Sequence, residues 1–311
     1  MFYPLLFEPI VNKRLWGEEV WALSALSNNE SVVTNGVLKG NTLPELVEIF
    51  MGDLVGDEVF NRYETEFPLL FKFIDARDRL SVQVHPDDEY SDFRYGTNGK
   101  TEMWYVLDSQ PEAEIILGFN RNVTENEIRR YLRQNSLEDL LQYFNVKKGD
   151  AVFIPSGTVH SLGAGLHVAE IQQSSDITYR LYDYGRRDKD GNLRDLHIND
   201  AIEVLYKGRT EGGLLDYDKS QKKALLKQCQ YFTTNLLTPD GAMLRDYSSI
   251  DSFIVYMCVE GLAEVRTVNN EPVVVGNGQA MLLPAKIDAA AIIPKSQNTK
   301  ILEIYIENQE D

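Results

Sequence analysis

Short segments that favour β-strands, separated by turn residues, limit the possible folds of this chain more than any other feature. Val, Ile, Tyr, Phe and Trp dominate these segments, and Gly, Pro, Asn and Asp lie between them. Clear examples are residues 81–85, 102–107, 113–117, 151–154 and 254–259. Many short strands with few long helices are typical of sandwiches and barrels of the jelly-roll kind. The pattern therefore predicts a mainly β protein.

Three segments within this pattern predict helices. Thr42 is a suitable N-cap for a helix over residues 43–50. Thr124 begins a capping-box motif, and the apolar face that follows predicts a small helical insertion over about residues 124–144, with a break. A third helix is expected at residues 199–206. These helices interrupt the strand pattern without changing the predicted fold class.

A weak internal repeat indicates two related β domains. Gly149-Asp-Ala-Val-Phe-Ile-Pro155 resembles Gly278-Gln-Ala-Met-Leu-Leu-Pro284. In both copies a glycine permits a turn into an apolar strand, and a proline ends that strand. Extending the alignment places His160 of the first copy opposite Ala289 of the second. The second copy therefore lacks a histidine that the first copy has.

The chain length also fits two domains, because a domain usually has roughly 100–200 residues and this chain has 311. The polar, glycine-containing stretch over residues 207–220 separates two strand-rich parts, and we interpret it as a linker. We therefore expect a first domain over residues 1–215 and a C-terminal all-β domain over residues 221–311. None of the four histidines follows residue 197, so any histidine site belongs to the first domain.

Charge and cysteine content exclude several classes of protein. The chain has 31 Lys and Arg against 48 Asp and Glu, which gives a formal net charge of −17. This charge argues against a nucleic-acid-binding protein and against a polybasic membrane anchor, since both depend on cationic contacts. Cys229 and Cys258 are too few for a disulfide framework, and we expect both to be reduced core residues.

The sequence also lacks the usual signals for a membrane or an export route. No apolar run reaches the ~18 residues of a membrane span. The N-terminus has neither a basic start nor an apolar stretch of signal-peptide length. We therefore expect a cytoplasmic protein without a membrane partner.

Two strand-like segments have polar side chains on a single face. Because strand side chains alternate, Ser81, Gln83 and His85 point in one direction. Lys100 and Glu102 share a face for the same reason. These groups form a site if the faces line a cavity. The alternatives are a strand with its polar face in water and a surface Lys–Glu pair that contributes little to stability.

The segment over residues 170–184 combines opposite charges. Alternation places Asp176, Thr178, Arg180 and Tyr182 on one face. Charged side chains that face a cavity are costly unless they pair or contact a ligand. The segment is therefore either the location of a structural Arg–Asp ion pair or part of a binding site.

The spacing of one further motif is more specific. Gly149, five residues, Pro155, one residue, Gly157, two residues and His160 follow one another. This order resembles the second sequence motif of the cupin superfamily, in which the histidine enters a β-barrel as a metal ligand. The resemblance and the internal repeat imply two cupin-like jelly-roll β-barrels or sandwiches, of which the second lacks metal ligands.

The companion cupin motif normally has two histidines one residue apart, followed by a glutamate. Here Gln83 and His85 occupy the place of the two histidines, and Glu102 follows after an insertion. With His160, these residues offer two imidazoles and one carboxylate, which suit zinc with a position open for water or substrate. The remaining histidines lack such a motif: His167 and His197.

Together the motifs resemble one family, the type I mannose-6-phosphate isomerases in their short bacterial form. The resemblance is strong over about residues 1–200 and weak beyond them. Its motifs occur in this order: Leu15-Trp-Gly17, Trp21-Ala-Leu-Ser24, Asn35-Gly-x-Leu-Lys-Gly40, Phe67-Pro-Leu-Leu70, Val84-His-Pro-Asp-Asp88, Gly99-Lys-Thr-Glu-x-Trp-Tyr105, Pro155-Ser-Gly-Thr-x-His160 and Glu170-x-Gln-Gln-x-Ser-Asp-x-Thr-Tyr-Arg-x-Tyr-Asp183.

The family resemblance implies a catalytic first domain that holds one zinc ion per chain. The residues that match its zinc ligands are His85, Glu102 and His160, and Gln83 matches a fourth ligand of longer members. The other matches are Arg180 for the catalytic arginine, Lys100, Glu170 and Asp176 for the sugar pocket, and Ser81 for a phosphate contact. We expect Lys100 to act in catalysis as well.

The implied reaction interconverts mannose 6-phosphate and fructose 6-phosphate, an aldose–ketose isomerisation through an enediol. Negative charge develops on the carbonyl oxygen, where a metal ion or Arg180 would stabilise it. A base must also remove the carbon-bound proton. The sequence leaves three candidates for this base, which are Lys100, Glu170 and Asp176.

Two functions of other classes remain as alternatives. A metal-dependent cupin oxygenase would usually have histidine at the position of Gln83, which argues against that function. A non-catalytic sugar-phosphate-binding protein would lose the zinc ligands or the arginine, and their presence argues against it. We therefore predict an isomerase with a small sugar phosphate as its partner.

Overall fold

The computed structural model describes residues 2–210 and 213–307. Strands dominate its regular structure, which confirms the prediction of a mainly β fold. The strands are β1 (Leu5–Leu6), β2 (Ile10–Arg14), β3 (Gly17–Leu23), β4 (Leu69–Ala76), β5 (Val82–Val84), β6 (Glu102–Ser109), β7 (Glu114–Phe119), β8 (Leu141–Asn145), β9 (Ala151–Ile154), β10 (His160–Leu162), β11 (Leu166–Gln173), β12 (Tyr179–Tyr182), β13 (Lys223–Gln228), β14 (Thr233–Leu237), β15 (Met243–Asp246), β16 (Ile254–Glu260), β17 (Leu262–Arg266), β18 (Val273–Gly276), β19 (Gln279–Leu283), β20 (Ala289–Pro294) and β21 (Lys300–Tyr305).

Short helices lie between these strands. They are α1 (Leu43–Phe50), α2 (Gly52–Val55), α3 (Asp57–Tyr63), α4 (Asp88–Tyr95), α5 (Glu125–Arg133) and α6 (Ile198–Val204), with a 3₁₀ turn at Leu137–Leu140. The three predicted helices correspond to α1, α5 and α6. Thr42 and Thr124 cap α1 and α5 with capping boxes, as predicted. No helix within the described residues is long and apolar enough to cross a membrane.

The predicted helical insertion is too long. Its helix ends at Arg133, and residues 141–144 belong to strand β8. β8 pairs with β7 and places Phe144 opposite Ile115, so strand pairing decides the conformation here. Helix α4 is an addition to the predicted set, and Asp87 caps it by accepting a hydrogen bond from the Tyr90 N–H at 2.9 Å.

The chain forms two compact units that are not contiguous in sequence. One contains Val11–Glu19 and Phe73–Leu215. We call it the histidine unit, because all four histidines belong to it. The other, the terminal unit, contains the residues up to Ile10, Val20–Lys72 and the residues from Asp216 onward. The chain passes between the units within β2, within β3, within β4 and after Leu215.

Two sheets form a sandwich in the histidine unit. One sheet has the strand order β12-β5-β10-β7-β8, and the other has the order β2-β3-β4-β11-β6-β9. Residues of both sheets share one core, with Ile115 and Leu162 from the first sheet and Trp104, Val106 and Val168 from the second. This arrangement agrees with the predicted cupin-like sandwich.

The terminal unit contains a second sandwich. Its sheets have the strand orders β1-β19-β16-β21-β14-β13 and β15-β20-β17-β18. Tyr256 and Met281 from the first sheet share a core with Val265 and Ile292 from the second. Cys229 and Cys258 are both free, as predicted. Cys258 is buried in this core, whereas Cys229 is only partly buried, so the prediction of a core position is wrong for Cys229.

Helices α1–α3 belong to the terminal unit, whereas the sequence analysis placed residues 1–215 in one domain. Hydrogen bonds between residues that are far apart in the sequence explain why these helices belong to the terminal unit. The Phe253 N–H donates to the Val55 carbonyl oxygen at 3.0 Å. The Asp251 carboxylate accepts from the Asp57 N–H at 2.9 Å, where α3 begins. These partners are nearly 200 positions apart, so no local pattern reveals them.

The stretch over residues 207–220, predicted as a linker, pairs with the histidine unit in its described part. Arg209 forms a β-bridge with Phe119, and Leu214 forms one with Val152. Residues 211 and 212 lie outside the described residues. The parts of this stretch next to residues 211 and 212 are therefore attached to strands, whereas residues 218–220 at its end are exposed.

Candidate metal centre

Three predicted ligands meet inside the histidine unit. His85 follows β5, Glu102 begins β6 and His160 begins β10. Their side chains are at most 1 % exposed. Nε2 of His85 lies 3.5 Å from Oε2 of Glu102, and Nε2 of His160 lies 3.4 Å from Oε1. One ligand atom from each residue lies within 4.8 Å of the others, and we call these residues the metal triad.

Backbone carbonyl groups orient both imidazole rings. Nδ1 of His85 lies 2.8 Å from the Ile177 carbonyl oxygen, and Nδ1 of His160 lies 2.9 Å from that of Thr158. A ring nitrogen that donates to a carbonyl is protonated, which leaves Nε2 with its lone pair toward Glu102. Burial also lowers the pKa of His160. The neutral imidazole that results is the form that binds a metal ion.

The carboxylate of Glu102 is fully buried and forms an ion pair with Lys100, whose Nζ lies 3.1 Å from Oε2. Among the described residues, neither carboxylate oxygen has a hydrogen bond of good geometry. A buried carboxylate is costly unless a cation compensates its charge. Two imidazole nitrogens and one carboxylate are the donors that zinc uses in catalytic sites with an open position. The donor set therefore fits zinc.

Gln83 lies beside the metal triad in a row across three strands. It is directly opposite His160 on β10 and Arg180 on β12. Directly opposed residues of neighbouring strands point to the same face of a sheet. Nε2 of Gln83 is 3.4 Å from Nε2 of His160, and its Oε1 accepts a hydrogen bond from the Ser81 hydroxyl at 3.4 Å. Ser81 and Gln83 therefore lie on the interior face that includes His160.

Two other predicted residues are buried close to the metal triad. Lys100 is 5 % exposed, and its Nζ lies 3.0 Å from Nε2 of His85. Glu170 on β11 accepts a hydrogen bond from Nε1 of Trp104 at 2.9 Å. Trp104 in turn meets the His160 ring edge-on, at a centroid distance of 5.6 Å. Lys100 thus contacts the triad directly, and Trp104 links Glu170 to it.

A β-bulge separates Arg180 from Tyr182. Arg180 pairs with Gln83, whereas Tyr182 pairs with Val82, so the two side chains lie on opposite faces of the sheet. The prediction that they share a face is wrong, because the bulge breaks the alternation. Arg180 keeps the interior face, where its Nη1 donates to the Asp195 carbonyl oxygen at 2.8 Å. Its Nε is buried without a hydrogen-bond partner.

Arg180 lies in a group of charged side chains that contains Arg186, Arg194 and the carboxylate of Asp183, which pairs with both of these arginines. Burial, followed by repulsion from Arg194 and then from Arg186, lowers the pKa of Arg180, while Asp183 opposes this change. Asp176, the alternative partner in a structural ion pair, is exposed. Among the described residues, no ion pair joins it to Arg180. Arg180 therefore belongs to a cationic group and not to an Arg–Asp pair.

Sequence reasoning missed the contact between His197 and Arg180. Nδ1 of His197 accepts a hydrogen bond from the Arg180 N–H at 3.1 Å, and the His197 N–H donates to the Arg180 carbonyl oxygen at 2.8 Å. These bonds attach β12 to the residue before α6. An irregular loop lies between the two residues, so neither strand nor helix periodicity could have connected them.

Known proteins resemble this chain in both sequence and fold. Residues 7–131 match the family described as phosphomannose isomerase type I, catalytic domain. Over 306 residues the chain is 39 % identical to the mannose-6-phosphate isomerase ManA of Bacillus subtilis (strain 168), covering 90 % of this chain and 93 % of that protein. This chain belongs to the type I phosphomannose isomerase family.

Solved structures agree with that assignment. The crystal structure of the mannose 6-phosphate isomerase from Bacillus subtilis has a TM-score of 0.86 and 31 % identity, covering 97 % of this chain and 99 % of that chain. A zinc-bound mannose 6-phosphate isomerase has a TM-score of 0.78 at 15 % identity, covering 98 % and 100 %. The second likeness concerns the fold alone. The family predicted from the motifs is confirmed.

Proposed function

We propose that this chain interconverts mannose 6-phosphate and fructose 6-phosphate with one zinc ion per chain. The observation that supports this proposal most strongly is the metal triad, whose ligand atoms converge within 4.8 Å inside a member of the isomerase family. Three further bacterial relatives have names of the same kind, a mannose-6-phosphate isomerase of Streptococcus mutans among them. The proposed partner is the sugar phosphate itself, and a cytoplasmic location stays a prediction.

His85, Glu102 and His160 would hold the zinc ion, with Gln83 as a fourth ligand. When bound, the ion acts as a Lewis acid that polarises the carbonyl group of the sugar. The chain prepares the donors in advance, because backbone carbonyls hold both rings with Nε2 toward the carboxylate. The burial of the triad also excludes water, which strengthens electrostatic contacts there.

Arg180 would stabilise the negative charge that develops on the sugar oxygen as the enediol forms. It lies on the interior face next to Gln83, and strand β5 separates it from His160. Its buried Nε has no partner, so the guanidinium has a donor available for substrate. A donor that is already oriented toward the developing charge stabilises the transition state more than the bound sugar.

Lys100 is the residue that we assign to proton transfer. The observation that supports this assignment is that its Nζ lies 3.0 Å from Nε2 of His85, beside the metal triad that would hold the reacting end of the sugar. Glu170 accepts a hydrogen bond from Nε1 of Trp104 at 2.9 Å, and Asp176 is exposed in the loop before β12. We assign Glu170 and Asp176 to sugar binding.

The phosphate group of the substrate requires local positive charge, because the whole chain has a net charge of −17. Arg186 and Arg194 lie close enough to Arg180 to lower its pKa. Ser81 is buried two residues before Gln83, on the same interior face. We assign the phosphate contact to Ser81 with help from this arginine group, since arginine forks match phosphate oxygens.

A coupled assay for fructose 6-phosphate tests the proposal. Zinc-loaded protein should form fructose 6-phosphate from mannose 6-phosphate and should consume no dioxygen. Dioxygen consumption without isomerisation would favour the cupin oxygenase. Tight binding of mannose 6-phosphate with no product would favour the non-catalytic binding protein.

A further inference from the structure

Hydrogen bonds fix the backbone on both sides of Lys100. The Gly99 N–H donates to Oδ1 of Asp88 at 2.8 Å, and the Thr101 N–H donates to Oε1 of Gln173 at 2.8 Å. The Nε2 group of Gln173 donates to the same Asp88 oxygen at 2.8 Å. One carboxylate oxygen and one amide thus connect the residue before Lys100 with the residue after it.

Close packing leaves this backbone little freedom. The Lys100 N–H donates to the Pro86 carbonyl oxygen at 3.0 Å. A Cβ atom built on Gly99 would lie only 2.5 Å from the carbonyl carbon of Asp87. Gln173 is 2 % exposed, so water competes little for its hydrogen bonds. The link between Asp88 and Gln173 is therefore part of a tight, largely buried loop.

The side chain of a lysine has several rotatable bonds, so its ammonium is placed accurately only if the backbone below it is fixed. We propose that Asp88 and Gln173 are positioning residues that keep Nζ of Lys100 beside the metal triad. This inference rests on the proposed function, in which Lys100 transfers the proton. In the structure, Nζ of Lys100 lies 3.0 Å from Nε2 of His85 and 3.1 Å from Oε2 of Glu102, directly beside the atoms that would hold the metal ion.

Two alanine variants break the link from either end. Asp88→Ala and Gln173→Ala should each lower kcat by about 10- to 100-fold, because a small displacement of a catalytic group is costly. KM and zinc content should stay near their wild-type values. The double variant should lose little more than the more damaged single variant, because both residues act through one connection.

Two further variants serve as controls: a conservative change at Asp88 and an alanine change elsewhere on α4. Asp88→Asn keeps the Oδ1 acceptor for the Gly99 N–H and should retain near wild-type kcat. Asp92→Ala removes a carboxylate from an exposed position of the same helix α4 and should leave kcat unchanged. Melting temperatures and zinc content are measured on the same preparations, so that every rate refers to folded, zinc-loaded protein.

Amide hydrogen exchange adds a readout that does not depend on turnover. In the zinc-loaded alanine variants, residues 96–103 should exchange faster than in the wild-type protein, and Asp88→Asn should restore the protection. If Asp88→Ala does not fold, Gln173→Ala decides by the same two measurements.

Faster exchange together with a lower kcat, and recovery of both in Asp88→Asn, supports the proposal. Unchanged exchange in the alanine variants would overturn it, as would faster exchange with wild-type kcat or a loss of kcat that follows the loss of zinc. A wild-type protein without isomerase activity would refute the proposed function and the catalytic part of this inference. The exchange data would then still decide whether Asp88 and Gln173 fix the backbone around Lys100.

Discussion

The two sandwiches place a buried glutamate at equivalent positions. In the histidine unit, Glu170 lies directly opposite Trp104 on the neighbouring strand. In the terminal unit, Glu303 lies directly opposite Tyr256. Both glutamates are at most 3 % exposed. The weak repeat in the sequence therefore has a structural counterpart, in which a carboxylate lies beside an aromatic residue that has a polar group.

Among the described residues, the metal triad has no counterpart in the terminal unit. The strand position of Glu102 corresponds to Ile254, a core residue. Ala289, which the sequence alignment placed opposite His160, is exposed, and its neighbour Ala290 is the buried residue. A shift by one residue exchanges the two faces of a strand. Since both residues are alanine, the terminal unit offers no ligand at this point in either register.

The terminal unit also satisfies its buried carboxylate with its own side chains. Glu303 accepts hydrogen bonds from Arg245 at 2.7 and 3.0 Å, from Tyr247 at 2.6 Å and from Asn235 at 3.0 Å. Glu102 pairs with Nζ of Lys100 at 3.1 Å, but among the described residues neither of its oxygens has a hydrogen bond of good geometry. The two sandwiches therefore differ in how completely side chains of the chain surround a buried carboxylate.

His160→Ala should cause the largest loss, because it removes one of three metal donors. Zinc measured by elemental analysis should fall from one per chain to nearly none, and isomerase turnover should be abolished. His85→Ala and Glu102→Ala should behave alike. Tyr256→Phe, a matched change in the terminal unit, should leave zinc and turnover intact. A His160→Ala protein with full zinc content and full rate would show that the proposed ligand set is wrong.

Arg180→Ala should lower kcat by on the order of 100-fold or more, the usual effect of losing one oriented donor. Zinc content and melting temperature should change little, because Arg180 is not a ligand. Arg180→Lys should recover only part of the rate, since a point charge does not replace the planar fork. Arg187→Ala, at an exposed site nearby, is the control. Near wild-type kcat in folded, zinc-replete Arg180→Ala would exclude the catalytic role.

Spacing tied to chemistry made parts of this site predictable from sequence. The metal triad was predicted from the resemblance to the cupin motifs and to the isomerase family, and its ligand atoms lie within 4.8 Å of one another. Features that depend on tertiary pairing were missed. The bulge at Arg180 moves Tyr182 to the other face, and residues 141–144 form a strand because β7 offers a partner. Helices α1–α3 join the terminal unit through bonds to residues that follow much later.

Gln83→Ala should have a smaller effect, on zinc affinity more than on rate. If Gln83 is the fourth ligand, its loss should weaken zinc binding by about 10- to 100-fold, a range seen when groups that support a metal site are removed. Competition with a chelator measures this affinity. Gln83→Glu keeps an oxygen donor and should bind zinc at least as tightly as the wild type. Equal affinity in Gln83→Ala would remove Gln83 from the ligand set.

Arg245→Ala should affect turnover least, although it should destabilise the protein. Removing this partner leaves Glu303 buried with an uncompensated charge, which costs about 3–5 kcal/mol of unfolding free energy. Denaturant unfolding measures the loss, and adding Glu303→Gln should recover part of it. The kcat and zinc content of the folded variant should match the wild type. Loss of zinc from folded Arg245→Ala would contradict a purely structural role for this cluster.

A zinc titration of chelator-treated protein tests most directly that the histidine unit holds one catalytic zinc ion and that the terminal unit holds none. Fructose 6-phosphate formation is followed as zinc is added in fractions of one equivalent. We predict no activity at the start, a linear rise up to one zinc per chain and a constant rate afterwards. Full activity in the metal-free protein, or a rise that continues to two zinc ions per chain, would contradict this prediction.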